Sequence, residues 1–286
     1  DIRQRAEAAF RGRSEAYEIY VTLGPKDATS RIRQEAASGE ALRVYACGGD
    51  GTFNECVNGA AGCETVALAP VPIGTGNDFC RMFGEESRFY LDFPALLRGT
   101  THKIDLISVN SKYSACICSV GVDARIGTNV HSYTSLPFCS GGGAYVVSAV
   151  VELLKGITRP MKLTCGSFTY DGQVTLCCVC NGRFYGGGFN PSPDAMPDDG
   201  ILDVYFVRKM NLLQVAAAIG KYAKGRADEF PQYITHLKGD SMTIEFAEEE
   251  VINADGEAIR ATKADIRLIP QALNLILPEG LTFFSH

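Results

Sequence analysis

Residues 46–59 read ACGGDGTFNECVNG. The apolar run LRVYAC (42–47) leads into the glycines, and Phe53, Cys56, Val57 and Ala60 follow at helical spacing. The glycines therefore sit where a strand hands over to a helix. In open α/β sheets, ligands bind at this carboxyl end of a strand. Glycines let the main chain approach a polyphosphate closely, and a helix N-terminus offers unpaired N–H groups and positive potential. Taken alone, GGDG reads equally well as a plain tight turn.

A second turn shifts that balance. The short apolar strand TVALAPVPI ends in Gly74-Thr75-Gly76-Asn77-Asp78 and opens the helix NDFCRMF, which Asn77 or Asp78 can cap. Two glycine turns at the ends of successive strands can converge on one ligand, and Thr52 and Thr75 add hydroxyl groups. The phosphate-loop pattern G-x-x-x-x-G-K-[ST] is absent, and so is the dinucleotide pattern G-x-G-x-x-G.

Outward from these turns the chain divides by texture. Upstream lie a helix, IRQRAEAAFR, a predicted strand, YEIYVTL (Tyr17 to Leu23), and a helix from about Asp27 to Ala37. This alternation predicts an α/β domain, with a parallel sheet and flanking helices. Beyond Thr100 come short strands separated by Gly, Asn and Asp turns: KYSACICSVG, MKLTCG, QVTLCCVCNG, ILDVYFVR, MTIEFA and EVINADGEAIR. They predict an antiparallel β-sandwich or barrel. Two helices interrupt it, one over roughly Gly143 to Leu154 and one capped by Asn211 with Leu212, Val215, Ala216, Ile219 and Tyr222 on a stripe. The expected division is 1–98, 99–270 and a tail, 271–286, that returns to the first domain. A substrate is expected between the domains.

The 286 residues are 46% hydrophobic and 21% charged, with a net charge of −6. That balance argues against nucleic-acid binding, which calls for a basic stripe. The longest apolar run, GAYVVSAVVELL, is too short to span a bilayer. Eleven cysteines lie mostly in apolar strands, which favours buried thiols in a reducing compartment. Cys177 and Cys180 would face opposite sides of one strand and could not share a metal.

GGDGTFNECVNG followed by PIGTGNDFCR resembles the catalytic domain of the diacylglycerol kinase family, which includes sphingosine kinases and is distantly related to NAD kinases. KIDL, SVGVDARI, SGGGAY, NGRFYGGGFNPSPDAMPDDGILDV and NADGE continue the resemblance in order through the second domain. It implies a lipid kinase that uses ATP and magnesium. In similar enzymes Gly48, Gly49, Asp50, Gly51 and Thr52 would bind the ATP phosphates, with Thr75 touching the nucleotide. Asp50 would help position the magnesium bound to ATP.

The resemblance gives NADGE the general base. Asp255 and Glu257 are both able to serve, and Glu257 matches the proton acceptor. Without the family, Asp255-Gly256 reads as a two-residue hairpin turn. Similarly, PDAMPDDGILD reads alone as a turn with solvated acids. The resemblance makes it a structural magnesium site of the Asp199 carboxylate and the main-chain oxygens of Met196 and Ile201, with Asp105 joined through water. It further implies a lipid with a free hydroxyl, most simply diacylglycerol giving phosphatidic acid. Contact with the cytoplasmic face of a membrane would be transient and peripheral, and sheet edges could pair two subunits. Arg81 and Arg88 are candidates for nearby lipid phosphates.

Similar proteins begin with a strand and an N-P-x-S-G turn, which this sequence lacks; that motivates the alternative of an inactive lipid- or nucleotide-binding protein. A soluble kinase like the NAD kinases is the other alternative, since it shares GGDG.

Overall fold

The computed structural model describes residues 1–126 and 156–285. The predicted helix near 143–154 and the SGGGAY stretch lie outside the described residues. Two compact units are present: residues 1–104 with 271–286, and residues 105–270.

In the first unit, α1 (Ile2–Phe10) and α2 (Asp27–Ala36) precede β1 (Leu42–Gly48), α3 (Asp50–Ala60) and β2 (Val66–Pro72). A short helix α4 (Asp78–Arg81), a 3-10 turn (Gly84–Leu91) and α5 (Phe93–Arg98) follow. β1 and β2 run parallel in unbroken register from Leu42↔Val66 to Gly48↔Pro72. This register puts both glycine turns at the same end of the sheet. α3 buries Phe53, Cys56, Val57 and Ala60, the positions its spacing marks. Residues 271–286 belong here too: Asn274 pairs with Ala67 beside β2, and Glu279 N donates to Ala95 O at 3.0 Å.

The expected strand Tyr17–Leu23 is not formed. A strand exists by pairing, and this stretch has no ladder partner among the described residues. Most of its apolar side chains are exposed, with Val21 70% and Leu23 89% exposed. Local contacts shape it instead. Tyr20 Oη and Leu23 N both donate to Asp27 Oδ2, at 2.9 and 2.7 Å.

The second unit is built from antiparallel pairs. β3 (Thr100–Val109) enters it, and β4 (Lys112–Ser114), β5 (Ile117–Gly121), β6 (Arg159–Cys165), β7 (Phe168–Cys180) and β8 (Leu202–Arg208) follow. Helix α6 (Leu212–Tyr222) precedes β9 (Ile234–Gly239), β10 (Ser241–Ala254) and β11 (Glu257–Leu277). The long strands β7 and β10 each pair with β6 over one part and β5 over another. Inward residues from the strands of this unit make one core, including Ile107, Val120, Leu163, Phe206, Ile244 and Ile252. β6 alternates cleanly, burying Met161, Leu163 and Cys165 while Lys162 and Thr164 face water. The ten cysteines among the described residues are free thiols, most of them buried, and a close sulfur pair is Cys178 and Cys180 at 3.6 Å, two apart on one face of β7. Asn211 caps α6 with a full capping box: its side chain accepts from Gln214 N, and Gln214 Oε1 accepts from Asn211 N.

Candidate active site

The two glycine turns of the first unit are joined by one side chain. Asp50 is the first residue of α3, and its carboxylate reaches across to the second turn. Oδ2 accepts from Asn77 N at 2.7 Å and Oδ1 from Asp78 N at 2.6 Å. Asp50 thus caps α4 in place of the expected self-cap by Asn77 or Asp78; Asn77, in the left-handed region, makes no side-chain cap. Both Asp50 oxygens are engaged, so its present task is to brace the turns.

The approach is close enough to require glycine. A Cβ on Gly74 would overlap the Cα of Gly49, and a Cβ on Gly76 would overlap Asp50 Oδ2. Gly48 O accepts from Ile73 N and Gly74 N at 3.1 and 3.2 Å, which sews the turns together from the other side. Arg81 completes the brace. Its Nε donates to Gly76 O at 2.9 Å and lies 3.3 Å from Asp78 Oδ1. This arginine therefore holds the second turn, and Arg88 lies over the Phe89 ring. Thr75 is exposed at the tip, Thr52 is half-buried, and the amides of the first turn of α3 point along the helix axis toward the glycines.

In the second unit, the NADGE hairpin has the two-residue turn its sequence suggests. Ala254 pairs with Glu257, and Asp255 and Gly256 both have positive φ (47° and 91°). The Asp255 carboxylate does more than shape the turn. It accepts from Ala115 N (2.7 Å), Cys116 N (3.1 Å) and Ile117 N (2.8 Å), fastening the approach to β5. Burial pushes its pKa up, and the amide hydrogen bonds oppose that rise. Glu257, by contrast, is exposed, and its side chain makes no hydrogen bond among the described residues.

Asp105 is buried and grips the 197–200 turn. Its N donates to Pro197 O at 2.6 Å and its Oδ2 accepts from Gly200 N at 2.9 Å. Asn181 Nδ2 donates to Asp105 O at 2.9 Å. Asp199 Oδ1 accepts from Ile201 N at 2.9 Å. Burial raises the Asp199 pKa, and the nearby Asp203 and Asp105 charges add to the rise. The Met196 sulfur sits 3.1 Å from Arg183 Nη2, and Ile201 is 37% exposed. Among the described residues no group of three or more His, Cys, Asp or Glu side chains could hold a metal.

The sequence reading missed Asp123. It is the second of the helical residues 122–126 and accepts from Ala124 N at 2.8 Å and Tyr185 Oη at 3.1 Å. Burial pushes its pKa up to about 6. The signal was present in SVGVDARI, a lone acid inside an apolar run, but its partner Tyr185 is 62 residues away.

Comparison with known proteins places this arrangement in a class. Residues 1–109 match the family model of the diacylglycerol kinase catalytic domain, and residues 116–277 match that of the YegS C-terminal NAD kinase beta sandwich-like domain. The chain belongs to this family and is an enzyme of the lipid kinase class. It is 29% identical to a probable lipid kinase YegS-like of Stenotrophomonas maltophilia strain K279a, covering 95% of this chain and 90% of that protein. A protein of the same description from Shewanella frigidimarina strain NCIMB 400 is 25% identical over 98% of this chain and 90% of its own length. A crystal structure of a putative diacylglycerol kinase from Bacillus anthracis strain Sterne is similar in fold. Its TM-score is 0.73 at 27% identity, covering 97% of this chain and 88% of that one.

Proposed function

We propose that the chain transfers the γ-phosphoryl group of ATP to a lipid hydroxyl, with diacylglycerol as acceptor and phosphatidic acid as product. The observation that carries the reading is the pair of glycine turns locked by Asp50 at the ends of two parallel strands. The lock presents main-chain N–H groups at the N-terminus of α3 without a lysine, and such groups suit phosphate oxygens. Gly48, Gly49, Gly51, Thr52 and Thr75 would line the phosphates, with Asp50 holding the lining in shape.

Glu257 is the proposed general base. It takes the proton of the lipid hydroxyl as the oxygen attacks the γ-phosphorus, and ADP leaves with the bridging oxygen. Asp255 serves by position: three amides occupy its carboxylate, which fixes the hairpin that carries Glu257. Charge developing on the transferred oxygens is met by amides already aimed by the fold.

Magnesium fits the 196–201 turn by donor chemistry. Asp199 Oδ2 makes no hydrogen bond among the described residues, and the crowding of Asp199 by Asp105 and Asp203 is the kind of field a cation relieves. The Asp199 carboxylate with the Met196 and Ile201 main-chain oxygens would hold it, and its charge would steady the acidic turn that Asp105 grips. No helix among the described residues is long and apolar enough to cross a membrane. Work on a lipid then calls for peripheral contact, at the cytoplasmic face in this reading.

The test is phosphate transfer from labelled ATP and magnesium to micellar diacylglycerol, sphingosine and NAD, in parallel. Labelled phosphatidic acid is expected. Label in NAD with none in either lipid would replace this reading with that of a soluble small-molecule kinase. ATP binding with no transfer to any acceptor would mark an inactive binding protein.

A further inference from the structure

Helix α6 is apolar on the side that faces away from its own unit. Its sequence, LLQVAAAIGKY, carries no charge before Lys221. The inner stripe is narrow: Ala218 and Tyr222 are buried, and Tyr222 packs edge-on against Tyr205 of β8, with ring centroids 6.5 Å apart. Leu212, Leu213, Ala216, Ala217, Ile219 and Gly220 are all exposed. Leu213 is 83% exposed, Leu212 53% and Ile219 47%. A surface helix in water normally turns charged residues outward. This one is well formed, with a full capping box, and yet turns out leucine, isoleucine and alanine.

The charged residues of the helix and of its immediate flanks, 204–227, are all basic. Arg208 and Lys209 precede it, Lys221 lies in its last turn, and Lys224 and Arg226 follow. Residues 204–227 contain no Asp or Glu, in a chain whose net charge is −6. Lys221 and Arg226 pair with Glu229, and Arg208 lies over the Tyr170 and Phe206 rings. Lys209 and Lys224, at opposite ends of the helix, are exposed and have no ion pair among the described residues.

We propose that the outer face of α6 is the surface by which this protein sits on an anionic lipid bilayer. The helix would lie in the plane of the interface, with Leu212, Leu213 and Ile219 among the acyl chains and Lys209 and Lys224 reaching the phosphates. The charge decides the occupant: an apolar face between free lysines complements a negative surface, and an acid-free stretch in an acidic protein keeps repulsion away from that face. The proposal rests on the lipid kinase reading for its choice of a membrane, but not on the chemistry of the phosphate site.

The test is co-sedimentation of the whole chain with vesicles, without nucleotide. Phosphatidylglycerol–phosphatidylcholine vesicles are compared with phosphatidylcholine alone, for the wild type, L213E/I219E and K209E/K224E. The wild type is expected to favour the anionic vesicles, more so at low salt. Each double variant should lose about tenfold or more of that partition, with an unchanged melting temperature because all four side chains are exposed. Equal partition of wild type and L213E/I219E overturns the proposal, as does indifference of the wild type to lipid charge. Light scattering that shows a wild-type dimer turned monomeric by L213E/I219E also overturns it, since the face would then meet a second copy. Phosphorylation of water-soluble dihexanoylglycerol separates the two readings. Docking without lipid phosphorylation removes the proposed reaction and leaves this surface standing, whereas phosphorylation with unaltered docking in the variants does the reverse.

Discussion

Two Asp-Gly pairs, one in each unit, use the same device to different ends. Asp50-Gly51 opens a helix after a parallel strand, and Asp255-Gly256 turns an antiparallel hairpin. In both, the carboxylate accepts backbone N–H groups from a remote loop: Asn77 and Asp78 for the first, Ala115 to Ile117 for the second. In each case the acid that precedes the glycine is engaged in holding another segment. The groups that the proposed reaction would use are its neighbours: the amides at the start of α3 and the Glu257 carboxylate. The difference lies in what is held. Asp50 joins two turns into one cradle, while Asp255 fastens the hairpin that presents one side chain.

The sharpest way to break this comparison is at Glu257. E257Q is expected to lower kcat by about 10²- to 10⁴-fold, while its melting temperature stays that of the wild type because the Glu257 side chain is exposed and makes no hydrogen bond among the described residues. Full turnover in E257Q would transfer the base to Asp255. The converse holds at the latch. D255A strands three amides, so urea unfolding should show a loss of about 3 kcal/mol or more. A D255A protein as stable as the wild type would mean that the latch does not matter to the fold.

Asp123 tests the second unit by pH. Its pKa is raised to about 6, so the folded chain keeps this proton where the unfolded chain has released it. The Asp123 contribution to stability is therefore full at low pH and is lost as pH rises from about 4 to about 6. D123N should match the wild type near pH 4 and exceed it by about 2–3 kcal/mol at pH 7. Parallel stability curves for the two proteins would remove Asp123 as the titrating group. The smallest expected effect is at the first unit's brace. D50A removes the cap of α4, at about 1 kcal/mol of stability, and should raise KM for ATP about fivefold if the cradle depends on its two turns staying joined. An unchanged KM would separate the brace from the cradle.

Much of the fold was legible in the sequence because its local rules agree with the tertiary outcome. The α3 spacing, the alternation of β6, the Asp255-Gly256 turn and the Asn211 cap are each decided within a few residues. The Tyr17–Leu23 reading failed for the opposite reason. Alternation describes a surface suited to a sheet, but pairing makes the strand, and pairing is not local. Roles at the site were harder still. Asp50 lies 27 residues from its partner Asn77, and Asp255 lies 140 from Ala115.

The sequence by itself determined where strands meet helices, which turns carry glycine beside acid, and the family to which those motifs compare. Only the tertiary structure decided which acids are occupied. Whether a carboxylate is engaged depends on the amides that packing brings within 3 Å of it. Packing likewise decided that α6 turns its leucines outward, because an apolar stripe on a helix does not say which side will find a core.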